Sequence, residues 1–284
     1  MFQLFPLYLQ LKKSSLQLDE NNLIMNKFLN VLIFLIIFSL LNFSASSKQE
    51  NYYYEVQFGN LIVGKAEVLF RSTSQNLNID IKSQTAGILD ALYEYNGVLK
   101  STSIKNKGTW LPNKFSAGGV FNKKKRTTDI TWVNNYKTVS YVNIPTIDLK
   151  KYHEVQKSSL INVIDPITAF MRVIEKINDE NTCDQNFKVF DGRRRYDLEI
   201  KTIGNSTIDN DRPKSYKGNV LICGLRVFPI GGHRLKTKWK PSEDKISDIK
   251  VFFGKNHNKD YVPVRVQIER WFGTVVIRLI RKTL

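Results

Sequence analysis

Few residues in this sequence could carry chemistry. The three histidines, His153, His233 and His257, stand alone, without a second histidine or a cysteine at the spacing of zinc ligands. The sequence also lacks the G-x-S-x-G, H-E-x-x-H and G-x-G-x-x-G patterns of common catalytic and dinucleotide sites. We therefore predict no catalytic residue, no metal ligand and no cofactor.

One segment has the glycine and lysine spacing of a phosphate-binding loop. Residues 59–65 read GNLIVGK, but Ala66 stands where serine or threonine would hold magnesium. Residues 62–70 themselves read as a strand, whereas a phosphate loop must lead into a helix. A hairpin turn followed by a strand explains the glycines better.

The two cysteines, Cys183 and Cys223, are too far apart in sequence for a C-x-x-C redox motif. Residues 25–47 resemble an export signal, and in an exported chain an even number of cysteines favours a structural disulfide. We therefore predict a disulfide between Cys183 and Cys223. We expect the strands beside the two cysteines to be neighbours in the sheet. Two reduced, buried thiols are the alternative.

Two basic clusters are candidates for anion binding. Arg193, Arg194 and Arg195 follow a predicted turn, and strand alternation would place Arg193 and Arg195 on one face. Lys124 and Arg126 belong to a second cluster. Guanidinium groups can bind phosphate or carboxylate with two parallel hydrogen bonds. We predict Arg193, Arg195, Lys124 and Arg126 as anion-binding residues, with solvated charge at strand ends as the alternative.

The formal charge of +17 excludes neither an anionic partner nor plain solubility. A nucleic-acid partner is not predicted, because the N-terminus carries an export signal and the basic residues are scattered. Anionic lipid headgroups or lipopolysaccharide phosphates are the partners that suit an exported basic chain. A partner protein cannot be named from the sequence.

The N-terminal segment resembles a secretory signal. Lys27 precedes the uncharged apolar run 28–43, and small residues follow at 44–47. Residues 1–24 are polar and mixed, so we predict that they are a non-native extension and that translation begins at Met25. Residues 25–47 are then a signal peptide, or a signal anchor if uncleaved. The protein is expected in the periplasm, or on the periplasmic face of the inner membrane if anchored.

The chain from 48 to 284 shows mainly the two-residue alternation of strands with one buried face. We predict a mainly β fold: one antiparallel β domain of roughly 10 to 12 strands, curved into a half-barrel or barrel. One principal helix is predicted at about 159–178, with Asp165 as its N-cap and Pro166 in its first turn. Residues 85–95 suggest a short helix or turn, and residues 204–218 a loop.

Several segments together resemble a bacterial envelope family known as domain of unknown function 3108. The matching segments are YEV at 54–56, TAGILDALY at 85–93, DPITA at 165–169, FDGRRRYD at 190–197 and PVRV at 263–266. The resemblance covers about residues 52–270. It implies an exported β protein, with a fold similar in shape to the lipoprotein-carrier half-barrels, and it assigns no catalytic residues.

Three functional hypotheses follow. The first is a non-enzymatic envelope protein that binds a lipid or lipid-linked ligand on a concave apolar sheet face, with basic residues at its rim. The second is an interaction module for envelope assembly, with that face filled by its own helix. The third is an enzyme acting on an envelope polymer or lipid, for which His233 beside a carboxylate would be the first candidate.

Overall fold

The computed structural model describes residues 47–121, 123–209, 212–236, 245–271 and 273–280. The predicted extension at 1–24 lies outside the described residues, as does nearly all of the predicted signal segment at 25–47.

The described residues form a 13-stranded antiparallel sheet, which confirms the predicted mainly β fold. Neighbours in the sheet run in the order β7-β6-β5-β4-β3-β2-β1-β13-β12-β11-β10-β9-β8. The strands are β1 (Lys48–Phe58), β2 (Leu61–Ser72), β3 (Asn76–Thr85), β4 (Tyr95–Asn106), β5 (Thr109–Phe121), β6 (Lys124–Val133), β7 (Thr138–Ile144), β8 (Gln185–Phe190), β9 (Arg195–Ile208), β10 (Gly218–Gly231), β11 (Ile249–Lys255), β12 (Tyr261–Arg270) and β13 (Gly273–Ile280).

Two meanders build this order. Strands β1 to β7 pair consecutively, strands β8 to β13 do the same, and β13 returns to pair with β1. The sheet therefore ends at β7 on one side and β8 on the other, and it is not closed into a barrel. Of the two predicted shapes, the closed barrel is wrong.

Strand β9 extends into the predicted loop. Residues 204–218 were expected to be a loop because they are rich in turn-forming residues, yet β9 continues to Ile208 and pairs with β10 from Gly218. Exposed polar side chains are compatible with this extension, and the Thr207 hydroxyl donates to Asn219 Oδ1 at 2.9 Å. The polar composition of residues 204–208 therefore reflects solvent exposure of the strand and not the end of the strand.

Within the described residues, two helices interrupt the strands: α1 (Ile88–Leu92) and α2 (Pro166–Glu180). The predicted start of the principal helix at 159 is wrong, since only a single 3-10 turn forms at Lys157–Leu160. Pro166 disfavours helical backbone in the residue before it, so the helix begins at Pro166 itself. Asp165 is the N-cap, as predicted, and accepts from the backbone N–H groups of Ile167 and Thr168.

The N-terminus of α2 is fixed to strand β4 by this cap. Asp165 is fully buried, and its Oδ1 also accepts a hydrogen bond from the Ser101 hydroxyl at 3.0 Å. Burial raises the pKa of the Asp165 carboxyl above its usual range, while the four donors around it act in the opposite direction.

Helix α2 packs on one face of the sheet, called the inner face here. Val173 and Ile177 belong to a buried cluster with Phe253 of β11. Ile167 and Met171 pack instead against a cluster that contains Leu77 of β3. The helix therefore joins the two meanders through side chains.

The gap between the two end strands is bridged by the chain before α2. Ile164 exchanges backbone hydrogen bonds with β8, its N–H donating to Lys188 O at 2.9 Å. Trp132 of β6 donates from Nε1 to Val163 O at 2.8 Å. The bonds of Ile164 satisfy backbone groups of the edge strand β8 that would otherwise be unpaired.

Candidate ligand-binding cleft

A cleft of about 460 Å³ lies on the inner face of strands β3 to β6, beside the first turn of α2. Leu99 and Ala117 line it and also pack near Ile167 of the helix. Other apolar or aromatic lining residues are Ile81, Tyr95, Val98, Phe115, Phe121 and Pro166. The helix covers the inner face up to this cleft and leaves this part open.

Two glycines form part of the floor of the cleft. Gly97 and Gly119 face each other across β4 and β5. A Cβ atom on Gly97 would lie 2.0 Å from Tyr95 Oη, so the tyrosine ring occupies the space that a side chain would need. Glycine at this position lets an aromatic ring lie flat against the sheet.

Four cationic side chains line the cleft together with one carboxylate. Lys124 and Arg126 come from the start of β6, and Arg193 and Arg194 from the turn between β8 and β9. The carboxylate is Asp191, whose Oδ1 accepts from the backbone N–H groups of Arg193 and Arg194. Three of the four predicted anion-binding residues therefore meet in one place, although they lie far apart in sequence.

Arg193 holds the β8–β9 turn against strands β6 and β7, which lie at the opposite edge of the sheet. Its Nε donates to Thr128 Oγ1 at 3.2 Å, and its Nη2 lies 3.2 Å from the carbonyl oxygens of Thr127 and Ile144. Burial lowers the pKa of Arg193, and the nearby charge of Arg126 lowers it further. Two guanidinium groups close enough to repel each other favour an anion between them.

Arg195, the fourth predicted residue, does not line the cleft. Its side chain is only 4% exposed and donates to Ser159 O at 2.9 Å and to Asp197 Oδ1 at 2.6 Å. The Arg194 side chain is 66% exposed, so the three arginines have different surroundings.

Arg234 adds a further cation beside this cluster and is paired with Tyr152. The two residues form an isolated antiparallel β-bridge between distant segments. Sequence reasoning missed both, because no local pattern predicts such a bridge. Arg234 lowers the pKa of the Tyr152 hydroxyl, and Arg126 adds to this effect. Arg126 is thus shared between the cleft and this neighbouring pair.

His233 lies next to this bridge and contacts His153. The two imidazole ring centroids are 4.1 Å apart, and the backbone N–H of His153 donates to His233 O. Burial lowers the pKa of His233, and the charge of His153 lowers it further. No histidine is among the residues that line the cleft. Within the described chain, no three His, Cys, Asp or Glu side chains are grouped to hold a metal ion.

The predicted disulfide between Cys183 and Cys223 is present. Both residues are fully buried in the cluster under α2. The expectation that the adjoining strands are neighbours is wrong, because β9 lies between β8 and β10. The disulfide reaches across β9 from the chain that precedes β8.

None of the described helices is long and apolar enough to cross a bilayer.

A large open antiparallel sheet with one helix packed on its inner face defines a class of mainly β proteins. The chain belongs to the protein family of unknown function DUF3108, whose model matches residues 53–280. This confirms the resemblance seen in the sequence.

A solved structure supports the fold. The chain is similar to a beta-barrel-like protein of domain of unknown function DUF1849 from Brucella abortus, with a TM-score of 0.50 and 9% sequence identity. The match covers 82% of this chain and 96% of the other. At this identity the likeness concerns the fold alone. No curated protein matches the sequence.

Proposed function

We propose that this protein is exported to the periplasm and binds an anionic amphiphile, a lipid or lipid-linked molecule, in the inner cleft. The observation that carries the proposal is the meeting of Arg126 and Arg193 with an apolar sheet face in one cleft. The disulfide supports export, because such bonds form and persist in oxidising compartments.

Each part of the cleft suits one part of such a ligand. The volume of about 460 Å³ falls in the range of small-molecule sites. Phosphate or carboxylate oxygens would accept hydrogen bonds from Arg126 and Lys124 at the rim. Methylene groups would lie against Leu99, Phe115 and Ala117, each contributing about 0.8 kcal/mol when buried.

The open cleft bears on the two other hypotheses. An interaction module was expected to have its inner face filled by its own helix, whereas α2 leaves the cleft beside its first turn open. A histidine beside a carboxylate in a cleft would support the enzyme hypothesis, whereas His233 lies against His153. Both observations favour ligand binding.

The test is organic extraction and mass spectrometry of protein purified from the periplasm without detergent. We expect a bound acidic amphiphile in near-stoichiometric amount. The variant Ala117→Trp, which fills the cleft, and the variant Arg126→Gln, which removes a rim charge, should each lose most of it. The matched control Lys107→Gln, an exposed cation in the β4–β5 turn, should retain it. A lipid-free wild-type protein would refute the proposal.

A further inference from the structure

Exposed apolar side chains gather at one end of the sheet, called the cleft end here. It comprises the β1–β2, β5–β6 and β12–β13 turns, the α1 segment and the end of β7. Five large apolar side chains at this end are between 51% and 88% exposed: Leu61, Leu92, Phe121, Ile144 and Trp271. Large apolar side chains this exposed at several adjacent turns indicate an interaction surface.

The opposite end of the sheet differs. It comprises the β2–β3, β4–β5, β6–β7 and β11–β12 turns. Among the described residues, the exposed large apolar side chains near these turns are Val133 and Ile161. No aromatic ring is among them, so the apolar surface is concentrated at the cleft end.

Positive charge is interleaved with the apolar side chains at the cleft end. Lys123, Lys124 and Lys125 are exposed in and after the β5–β6 turn. They adjoin Phe121, whose ring stacks on Tyr93 with centroids 6.4 Å apart. Aromatic side chains prefer the bilayer interface, and lysine side chains are attracted to the headgroups of an anionic leaflet.

The mouth of the cleft opens at this same end. Phe121, Lys124 and Arg126 line the cleft and also belong to, or adjoin, the β5–β6 turn. A bilayer in contact with the cleft end would therefore present its lipid headgroups directly to the cationic rim.

We propose that the cleft end docks on an anionic phospholipid bilayer, with Leu61, Leu92 and Trp271 entering the interface and the lysines contacting headgroups. This inference rests on the proposed function and deepens it: the ligand is a membrane phospholipid that enters the cleft from the leaflet. The charge complementarity of the lysine cluster selects an anionic leaflet over a neutral one.

Vesicle flotation tests the docking directly. The purified protein should float with vesicles of phosphatidylglycerol and phosphatidylethanolamine, and at least tenfold less with phosphatidylcholine vesicles. The docking variant Leu61→Ser/Leu92→Ser/Lys123→Gln/Lys125→Gln changes no residue of the cleft lining. It should lower the apparent affinity for anionic vesicles at least tenfold.

A matched control carries the same kinds of change at the opposite end: Val133→Ser/Ile161→Ser/Lys107→Gln/Lys137→Gln. It should float like the wild type. Equal flotation of the docking variant and the wild type would overturn the docking proposal. So would a dimer in vesicle-free solution that the docking variant abolishes, since a second copy would then cover this end.

A second readout separates this inference from the proposed function. Binding of monomeric dodecyl phosphate is measured by calorimetry without vesicles, and the docking variant should bind it like the wild type. Dodecyl phosphate binding without flotation overturns docking alone. Flotation without dodecyl phosphate binding overturns ligand binding in the cleft and leaves docking in place.

Discussion

Arg194 and Arg195 are adjacent in sequence but contribute differently to stability, because their burial differs. Arg195 is enclosed and spans Ser159 O and the Asp197 carboxylate, whereas Arg194 is mostly in solvent beside Asp191. Removing a buried donor leaves its acceptor without a hydrogen bond, while a solvated ion pair is replaced by contacts with water.

We therefore predict that Arg195→Ala lowers the free energy of unfolding by about 2 kcal/mol. Arg194→Ala should change it by less than about 0.5 kcal/mol. Urea unfolding followed by circular dichroism measures both. Equal effects of the two substitutions would show that Arg195 is not held as the structure has it.

The candidate site was predictable residue by residue only in part. Lys124, Arg126 and Arg193 stand out as basic clusters in the sequence, and the structure brings them together. Tyr152 and Arg234 join them through pairing between segments some 80 residues apart, which no local spacing reveals. Arg195 looks like its neighbours in the sequence, and its burial follows from tertiary packing alone.

At the scale of elements, the β8–β9 turn depends on Gly192. Its φ of +87° lies in the left-handed region, and a Cβ atom there would lie 1.9 Å from Thr128 Cγ2. The close approach lets Asn143 Nδ2 donate to Gly192 O at 2.7 Å and places Arg193 against β6. The turn therefore sets the wall of the cleft that carries Arg193.

Gly192→Ala should destabilise the protein by about 3 kcal/mol, through backbone strain and overpacking together. Gly108→Ala is the matched control, because Gly108 also has a positive φ but nothing lies within 4 Å of its added Cβ. The control should cost about 1 kcal/mol. Adding Thr128→Ser to Gly192→Ala removes the clashing methyl group and should restore part of the loss; no restoration would contradict this account.

The bridge between residues 151–153 and 232–235 should weaken in acid. The folded-state pKa of His233 is below its unfolded value, so the unfolded state takes up the proton more readily. Its contribution to stability is present above about pH 6.5 and is lost as the pH falls through the folded pKa. Burial disfavours the protonated form of His233, and the charge of His153 opposes its protonation as well.

Urea unfolding at pH 7.5 and 5.5 tests this dependence. The wild type should lose more stability between the two pH values than His233→Asn does. His257→Asn, at an exposed turn, serves as the control and should behave like the wild type. An unchanged pH dependence in His233→Asn would assign the effect to other groups.

At the scale of the whole molecule, the disulfide restrains the meander from β8 to β10. It closes a loop of 40 residues between α2 and β10. In the loop-entropy account this stabilises the fold by about 4 kcal/mol. We predict that Cys183→Ala/Cys223→Ala lowers the midpoint of thermal unfolding by about 10 °C. Dithiothreitol should lower the midpoint of the wild type and leave that of the variant unchanged.

The sequence predicts the class of this fold but not its closure. Alternation along segments such as Leu77–Ile81 predicts strands, and Asp165 is predicted correctly as the N-cap, although the predicted helix start at 159 is wrong. The pairing of β13 with β1 joins residues more than 200 positions apart, so it depends on tertiary packing. For the same reason the sequence could not predict that the sheet stays open between β7 and β8. The presence of the cleft on its inner face could not be predicted either.

The most direct test of the central claim is calorimetric titration of the protein with two single-chain amphiphiles below their micellar concentrations. Dodecyl phosphate is anionic, and dodecylphosphocholine has the same chain with a zwitterionic headgroup. The account predicts at least tenfold tighter binding of dodecyl phosphate, about 1.4 kcal/mol, and loss of this preference in Arg126→Gln. No binding of either amphiphile, or equal affinities that Arg126→Gln leaves unchanged, would contradict it.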